Sequence, residues 1–247
     1  NNASLSTDNV HHFITEKPAW KLIYQLIEIN PIKAEDAFRK ACNYTGIIHL
    51  NDSYQKIEEK IAKIKNREAS LLFSSGYSVA IGVIPALVGR GDLVVADRLI
   101  HSCLIDGVKL SGAKMMRFAH NDMINCEKIL MQNRHLFSRC LIISESIFSM
   151  DGDVGKINDL WSLAKKFNSG LLIDEAHSFG VKDFTIFKKN LAKKDLSIKN
   201  SAFYLQMGTL SKAVGVIGGY VAGNEIIIKY LKYVKIFNTK FDAVFLL

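Results

Sequence analysis

The chain is poor in cysteine and poorer still in any pattern that would use it. Cys42, Cys103, Cys126 and Cys140 form no CxxC pair and show no metal-ligand spacing, so free thiols in a reducing cytoplasm are expected rather than a disulfide framework. The histidines give no spaced ligand set either: His11 and His12 are adjacent, and His49, His120 and His135 stand apart. No metal is expected. Arginine is absent after Arg139, so the net charge of +8 comes mostly from lysine. These lysines are scattered among apolar positions rather than gathered with aromatics on a stripe, which argues against nucleic acid and favours a small anionic partner. Asn1–Val10 has neither the basic n-region nor the apolar h-region of a signal peptide, which again points to a cytoplasmic protein. No internal repeat is visible.

One run, Leu72 to Gly89, is long, apolar and free of charge. A membrane span is rejected, because Ser74, Ser75, Gly76 and Ser78 crowd its start, Pro85 interrupts it and Arg90-Gly-Asp92 closes it. A buried helix fits better, and its small-residue N-terminus with free backbone N–H groups suits a phosphate. The length of 247 residues and the 49% hydrophobic share allow one large domain or two small ones with a sizeable core.

The rest alternates. Lys17 to Ala41 reads as helical up to a break at Asn30-Pro31. Ser53 to Asn66 is an amphipathic helix, with Tyr54, Ile57, Ile61 and Ile64 on one face. Strands are expected at Ala69–Phe73, Leu93–Ala96, Lys114–Phe118, Cys140–Ser144, Gly170–Asp174 and Ala202–Gln206. Helices are expected to Val88, at Ile100–Leu110, near Asn125–Asn133 and at Asn158–Phe167. Such alternation argues an α/β protein, a mostly parallel sheet with helices on both faces. Lys182–Asn200 is weakly organised.

Two further segments carry chemistry. In Met207–Tyr220, Lys212 lies between Gly208, Thr209 and Ser211 on one side and Gly215, Gly218 and Gly219 on the other. Backbone and hydroxyls can therefore approach a bulky phosphorylated ring, although a surface lysine in a glycine-rich turn has the same composition. In Leu171–Val181, three aliphatics run into Asp174, as a buried parallel strand delivering a carboxylate at its C-terminal end, where ligands sit in open α/β sheets. A carboxylate there can hold a pyridine nitrogen protonated, and His177 can reach the same ring. An Asp capping the next helix is the structural alternative.

Together with Asp97–Gly112, His120-Asn-Asp-Met123 and Glu145–Asp153, these segments resemble the α-oxoamine synthases, enzymes that use pyridoxal phosphate (PLP) to join an amino acid to an acyl-CoA with loss of carbon dioxide. The resemblance runs from about Tyr54 to the C-terminus. It implies the aminotransferase-like, fold type I large domain over residues 51–247, preceded by a helical or irregular segment over 1–50, with the family's C-terminal small domain absent. It implies that Lys212 holds the cofactor covalently and takes the Cα proton, that Asp174 pairs with the ring nitrogen and that His101 stacks on the ring face, although His101 also reads as a helix cap. By the same resemblance Ser149 and His177 bond the ring hydroxyl, and Gly76, Tyr77 and Thr209 hold the phosphate. Glu145, Asp151 and Asp153 read as structural, the last two in a turn after the active-site strand.

Three departures stand out: Tyr44–Leu50 lacks the family's arginine, Lys182–Lys189 replaces a glycine-rich loop, and the domain that carries the carboxylate-binding arginine is missing. An amino acid and an acyl-CoA are the implied substrates and a homodimer the implied assembly, with a lean towards the 8-amino-7-oxononanoate type. The alternatives are another fold type I aminotransferase or a non-catalytic partner subunit.

Overall fold

A computed structural model describes residues 47–180 and 202–237, with side chains from 54 to 180 and from 202 to 232. The helix expected at Lys17–Ala41, the segments Tyr44–Leu50 and Lys182–Lys189 in large part, and Cys42 lie outside the described residues or side chains. The chain divides into two units, Asn1–Ile57 and Glu58–Leu247, and the whole sheet belongs to the second. In chain order the elements are α1 (Ile47–Ile64), β1 (Ala69–Phe73), α2 (Gly76–Leu87), β2 (Leu93–Asp97), α3 (Ser102–Ser111), β3 (Lys114–Phe118), α4 (Met123–Asn133), β4 (Cys140–Glu145), α5 (Ile157–Lys166), β5 (Gly170–Asp174), β6 (Tyr204–Thr209), β7 (Gly219–Gly223) and α6 (Glu225–Phe237).

The seven strands form one sheet in the order β1-β7-β6-β5-β4-β2-β3. From β6 to β3 every pairing is parallel, and β7 runs antiparallel to both its neighbours. The strands that read as aliphatic runs are buried on both faces, as parallel strands covered by helices must be. Alternation along each strand sorts the core into two layers. Val94, Ala96, Leu141, Ile143, Leu172, Leu205, Met207 and Val221 pack with α2, α3 and α6. Leu93, Val95, Ile142, Leu171, Ile173 and Tyr204 face α4 and α5. The apolar run becomes α2, a helix of 12 residues that continues through Pro85 to Leu87. At about 18 Å it is far shorter than a bilayer core, and no described helix is long and apolar enough to cross a membrane. It crosses α3 closely: a Cβ on Gly107 would stand 2.6 Å from the Ala80 carbonyl oxygen, so only glycine fits there.

Strand β7 and helix α6 have no counterpart among the elements expected from the sequence, because Gly218–Gly223 carries three glycines and no aliphatic run. Gly223 lies close against β6, where a Cβ would meet Tyr204 O at 3.1 Å and would make the Leu205 side chain turn away from its present position. Under this end of the sheet lies a polar knot. Glu175, buried just beyond β5, accepts from Gln206 Nε2 at 2.6 Å and Tyr220 OH at 3.2 Å, and it is ion-paired with Lys65. Arg67 donates from Nε to Gln206 Oε1 at 2.5 Å and lies over the Tyr204 ring. These bonds tie the chain after α1 to β5, β6 and β7. Removing one member of a buried ion pair leaves the other charge uncompensated, at about 3–5 kcal/mol. Glu175→Ala is therefore expected to lower the stability of the chain by about that amount. Urea unfolding measures it as a lower midpoint at an unchanged m-value.

Candidate active site

Because β1, β2, β4, β5 and β6 point the same way, their C-terminal ends meet along one edge, and each delivers a functional group there. β1 leads into α2, whose N-cap Ser75 accepts from Ser78 N at 3.1 Å. The first N–H groups of α2, those of Gly76 and Tyr77, have no acceptor within the helix. Gly76 faces the end of β6: a Cβ there would stand 3.1 Å from Thr209 Cβ. Gly219 abuts the same turn, where a Cβ would meet Ser75 O at 2.4 Å and Gly76 N at 2.7 Å. Thr209 Oγ1 donates to Gly218 O at 3.1 Å and lies 2.7 Å from Ser211 Oγ. The result is a small-walled cradle of N–H and hydroxyl groups.

β4 and β5 end in carboxylates paired in register, Glu145 beside Asp174. Both are buried. Asp174 Oδ1 accepts from Ala176 N at 2.9 Å, and burial raises its pKa to about 6 against the pull of that bond, Lys212 and His101. Burial and then the Asp174 charge push Glu145 to about 8, opposed by a 2.6 Å bond from His101 N to Oε1.

Lys212 sits in the β6–β7 loop, which Leu210 N→Gly218 O, Val216 N→Leu210 O and Gly215 N→Lys212 O close tightly. Its Nζ lies 2.5 Å from His177 Nε2. His177 comes from the turn after β5, and its pKa is lowered by burial first and then by Lys212 and His101, so the ring is neutral near pH 7. The other nitrogen, Nδ1, is buried without a hydrogen-bond partner and lies 3.9 Å from Glu145 Oε2.

Lys212, His177, Asp174 and His101 are thus brought together, with Gly76 and Thr209 at the cradle. His101 caps α3, its Nδ1 accepting from Cys103 N at 3.2 Å; the capping role weighed from the sequence is real, and it leaves the ring exposed at the edge. Tyr77 is exposed in the first turn of α2. Ser149 stands exposed in the turn after β4, and no described hydrogen bond joins it to His177. The serine that bonds into β5 is Ser146, whose Oγ donates to Asp174 O at 3.1 Å and lies 2.7 Å from Ser178 Oγ. Neither Ser146 nor the pairing of Glu145 with Asp174 stands out in the sequence, although Cys140-Leu-Ile-Ile-Ser-Glu145 repeats the pattern of aliphatics running into a carboxylate that singles out Asp174. The Cys103, Cys126 and Cys140 thiols are free and buried.

A sequence profile of the aminotransferase class I and II family matches residues 24–239. The chain is 40% identical over 181 residues to a putative 8-amino-7-oxononanoate synthase of Methanocaldococcus jannaschii, covering 73% of this chain and 48% of the relative. It is 36% identical over 209 residues to the 8-amino-7-oxononanoate synthase of Geotalea daltonii, covering 84% and 52%. The chain spans about half the length of the curated relatives it matches. Among solved structures, a serine palmitoyltransferase from S. paucimobilis with bound PLP superposes with a TM-score of 0.62 at 26% identity, over 72% of this chain and 45% of that one. The 8-amino-7-oxononanoate synthase of Francisella tularensis gives 0.57 at 29%, over 77% and 52%. The strand ends and their side chains, the profile and the relatives agree: the chain belongs to the aminotransferase class I and II family, on the α-oxoamine synthase branch that its motifs resemble.

Proposed function

We propose that the chain is the cofactor-binding part of a PLP-dependent acyltransferase that condenses an amino acid with an acyl-CoA with decarboxylation, of the 8-amino-7-oxononanoate synthase type. The observation that carries this reading is the meeting of Lys212 Nζ with His177 Nε2 at 2.5 Å beside the buried Asp174–Glu145 pair. The residues present fit PLP. Gly76 and Gly219 let the start of α2 lie close against Thr209 and the β6–β7 loop, where a Cβ on Gly219 would collide with Ser75 O, and this brings the first helix N–H groups, suited to a phosphate, beside the Thr209 hydroxyl. His177 Nδ1 is an orphaned buried nitrogen. Two adjacent buried carboxylates call for a cation, and a protonated ring nitrogen is one.

Bound here, PLP supplies an electron sink for the negative charge that develops at the amino acid Cα. The chain's own groups do the rest. Lys212 offers the amine that holds the cofactor and then takes the Cα proton. Asp174, with its pKa about 6, is mostly ionised at pH 7 and keeps the ring nitrogen protonated. Gly76 N, Tyr77 N and Thr209 Oγ1 would hold the phosphate, His101 would stack on the ring, and His177 with Ser149 would bond the ring hydroxyl. The apolar side chains of Val214, Val216 and Ile217, exposed beside Lys212, suit a second copy of the chain, as in a homodimer, and the free thiols suit the cytoplasm.

Adding PLP to the purified chain is expected to give an absorbance band that borohydride locks onto a Lys212 peptide. Exchange of the amino acid Cα hydrogen in deuterated water, which needs only the cofactor and the lysine, should fall by about 100-fold or more in Lys212→Ala. A band that survives in that variant, or exchange at the wild-type rate, would overturn the reading.

The carboxylate pair gives a pH prediction for the cofactor-free chain. Both folded pKa values are raised, Asp174 to about 6 and Glu145 to about 8, so the folded state binds protons more tightly than the unfolded one. Their contribution to stability is complete below the ordinary carboxylate range and is lost as pH rises through about 6 and then about 8. Tm should fall from pH 5 to pH 8.5, and Glu145→Gln should flatten the upper part of that fall. Identical slopes in the two proteins would refute the assignment.

A further inference from the structure

The motif His120-Asn-Asp-Met123 has no place in the site described above, yet it makes a hydrogen-bonded cluster at the same edge. His120 follows β3. Its Nδ1 lies 3.0 Å from Asp97 Oδ1 and its Nε2 2.9 Å from Asp153 Oδ2. A carboxylate oxygen only accepts, so both contacts are hydrogen bonds only when both ring nitrogens carry hydrogen, that is, when the ring is the imidazolium. Asn121, at a left-handed φ of 53°, adds Nδ2 to Asp153 Oδ2 at 2.5 Å and N to Asp97 Oδ2 at 2.9 Å.

Each end of this bridge leads to a candidate site residue. Asp97 Oδ1 also accepts from Leu99 N at 2.8 Å, which shapes the turn into His101. Asp153 lies in the turn after β4, where Phe148 N donates to Asp153 O at 3.0 Å and Gly152 N to Phe148 O at 2.9 Å; Ser149 rides on that closed turn. The Phe148 side chain, fully buried, meets the His120 ring edge-on at 4.4 Å.

We propose that His120 is a positioning residue: as an imidazolium between Asp97 and Asp153 it clamps the Ser149 turn to the end of β2 that leads into His101, and so fixes the outer wall of the cofactor site. It works from beneath, since Asp97 follows Val95 on the α4 and α5 face while Asp174 and Glu145 open onto the other. A metal site is the competing use of His120, Asp151 and Asp153, whose ligand atoms lie within 4.8 Å of one another. With both ring nitrogens turned to carboxylates, however, His120 has no lone pair to give a metal.

Among the described residues the charged groups facing the ring are Asp97 from β2 and Asp151 and Asp153 from the turn after β4; Asp122, which caps α4, accepts from Asn125 N at 2.9 Å. Burial alone would lower the His120 pKa, but the bonds to Asp97 and Asp153 outweigh it, and the pKa is raised. The clamp is thus complete at low pH and loosens as pH rises through the raised value.

The clamp itself can be tested without cofactor; only its effect on the site rests on the PLP reading. Nitrogen-15 NMR of the histidine rings at pH 7 should show His120 with hydrogen on both nitrogens, titrating above the ordinary histidine value, and Asp153→Asn should bring that titration down. A neutral His120 at pH 7, or a titration unmoved in Asp153→Asn, overturns the clamp. In His120→Gln, amide exchange across Phe148–Val154 should speed by about tenfold or more while that of β5 stays unchanged, and PLP should bind at least about tenfold more weakly. If His120→Gln does not fold, Asp153→Asn carries the same measurements. Unchanged exchange in the turn, or faster exchange throughout the sheet, overturns the positioning role. PLP affinity equal to wild type with a loosened turn overturns the link to the site, whereas no PLP binding by the wild-type chain sinks the function proposed above and leaves the NMR result standing.

Discussion

The site depends on two carboxylates held side by side away from water. Glu145 and Asp174 end adjacent parallel strands in register, so the backbone gives them no freedom to separate, and burial together with mutual repulsion makes their full ionisation unfavourable. One takes a proton most readily and the other stays charged near pH 7. The cationic and hydrogen-bonding groups that gather round them, Lys212, His101 N and Ala176 N, answer that negative charge. A fold that sets two carboxylates in such a place has prepared a socket for a positive ring.

The lysine reaches that socket because one strand is reversed. Strand β7 runs back against β6, so the connection is a short loop that returns over the same edge instead of a crossover helix. The cross-loop bonds among Leu210, Val216 and Gly218 hold it, and the close approach of Gly219 to Ser75 and Gly76 locks it beside the start of α2. Amine, cradle and carboxylates are thereby fixed by three kinds of backbone constraint: an antiparallel return, a helix start and parallel strand ends.

These different constraints leave different traces in the sequence. Six strands are legible there, three of them with their observed bounds at Ala69–Phe73, Lys114–Phe118 and Gly170–Asp174, and the central parallel ones stand out because strands buried on both faces must be aliphatic. Strand β7 is not, because its glycines answer to tertiary contacts with Leu205 and Ser75 that no local pattern records. Strand β6, expected at Ala202–Gln206, runs Tyr204–Thr209, since Gly208 and Thr209 look like loop while in fact they pair with Tyr220 and Gly219. Among site residues, Asp174, His177 and Lys212 announce themselves by type and spacing. The partners that make their environment, Glu145 and Ser146 from another strand, depend on register, which sequence alone does not display.

The same strand shows why function and stability can be separated here. Asp174 and Glu175 are consecutive, and side chains that alternate across a sheet must point to opposite faces. Asp174 opens towards His101 and Lys212, where its charge is incompletely answered. Glu175 turns to the other face, where Lys65, Gln206 and Tyr220 answer its charge almost completely. Neighbours in sequence with like chemistry thus have opposite electrostatic fates: the satisfied carboxylate braces β5 against β6 and β7, so that the strained one beside it can be held still. A substitution at Glu175 would therefore reach the site through lost rigidity, whereas one at Asp174 would reach it through lost charge.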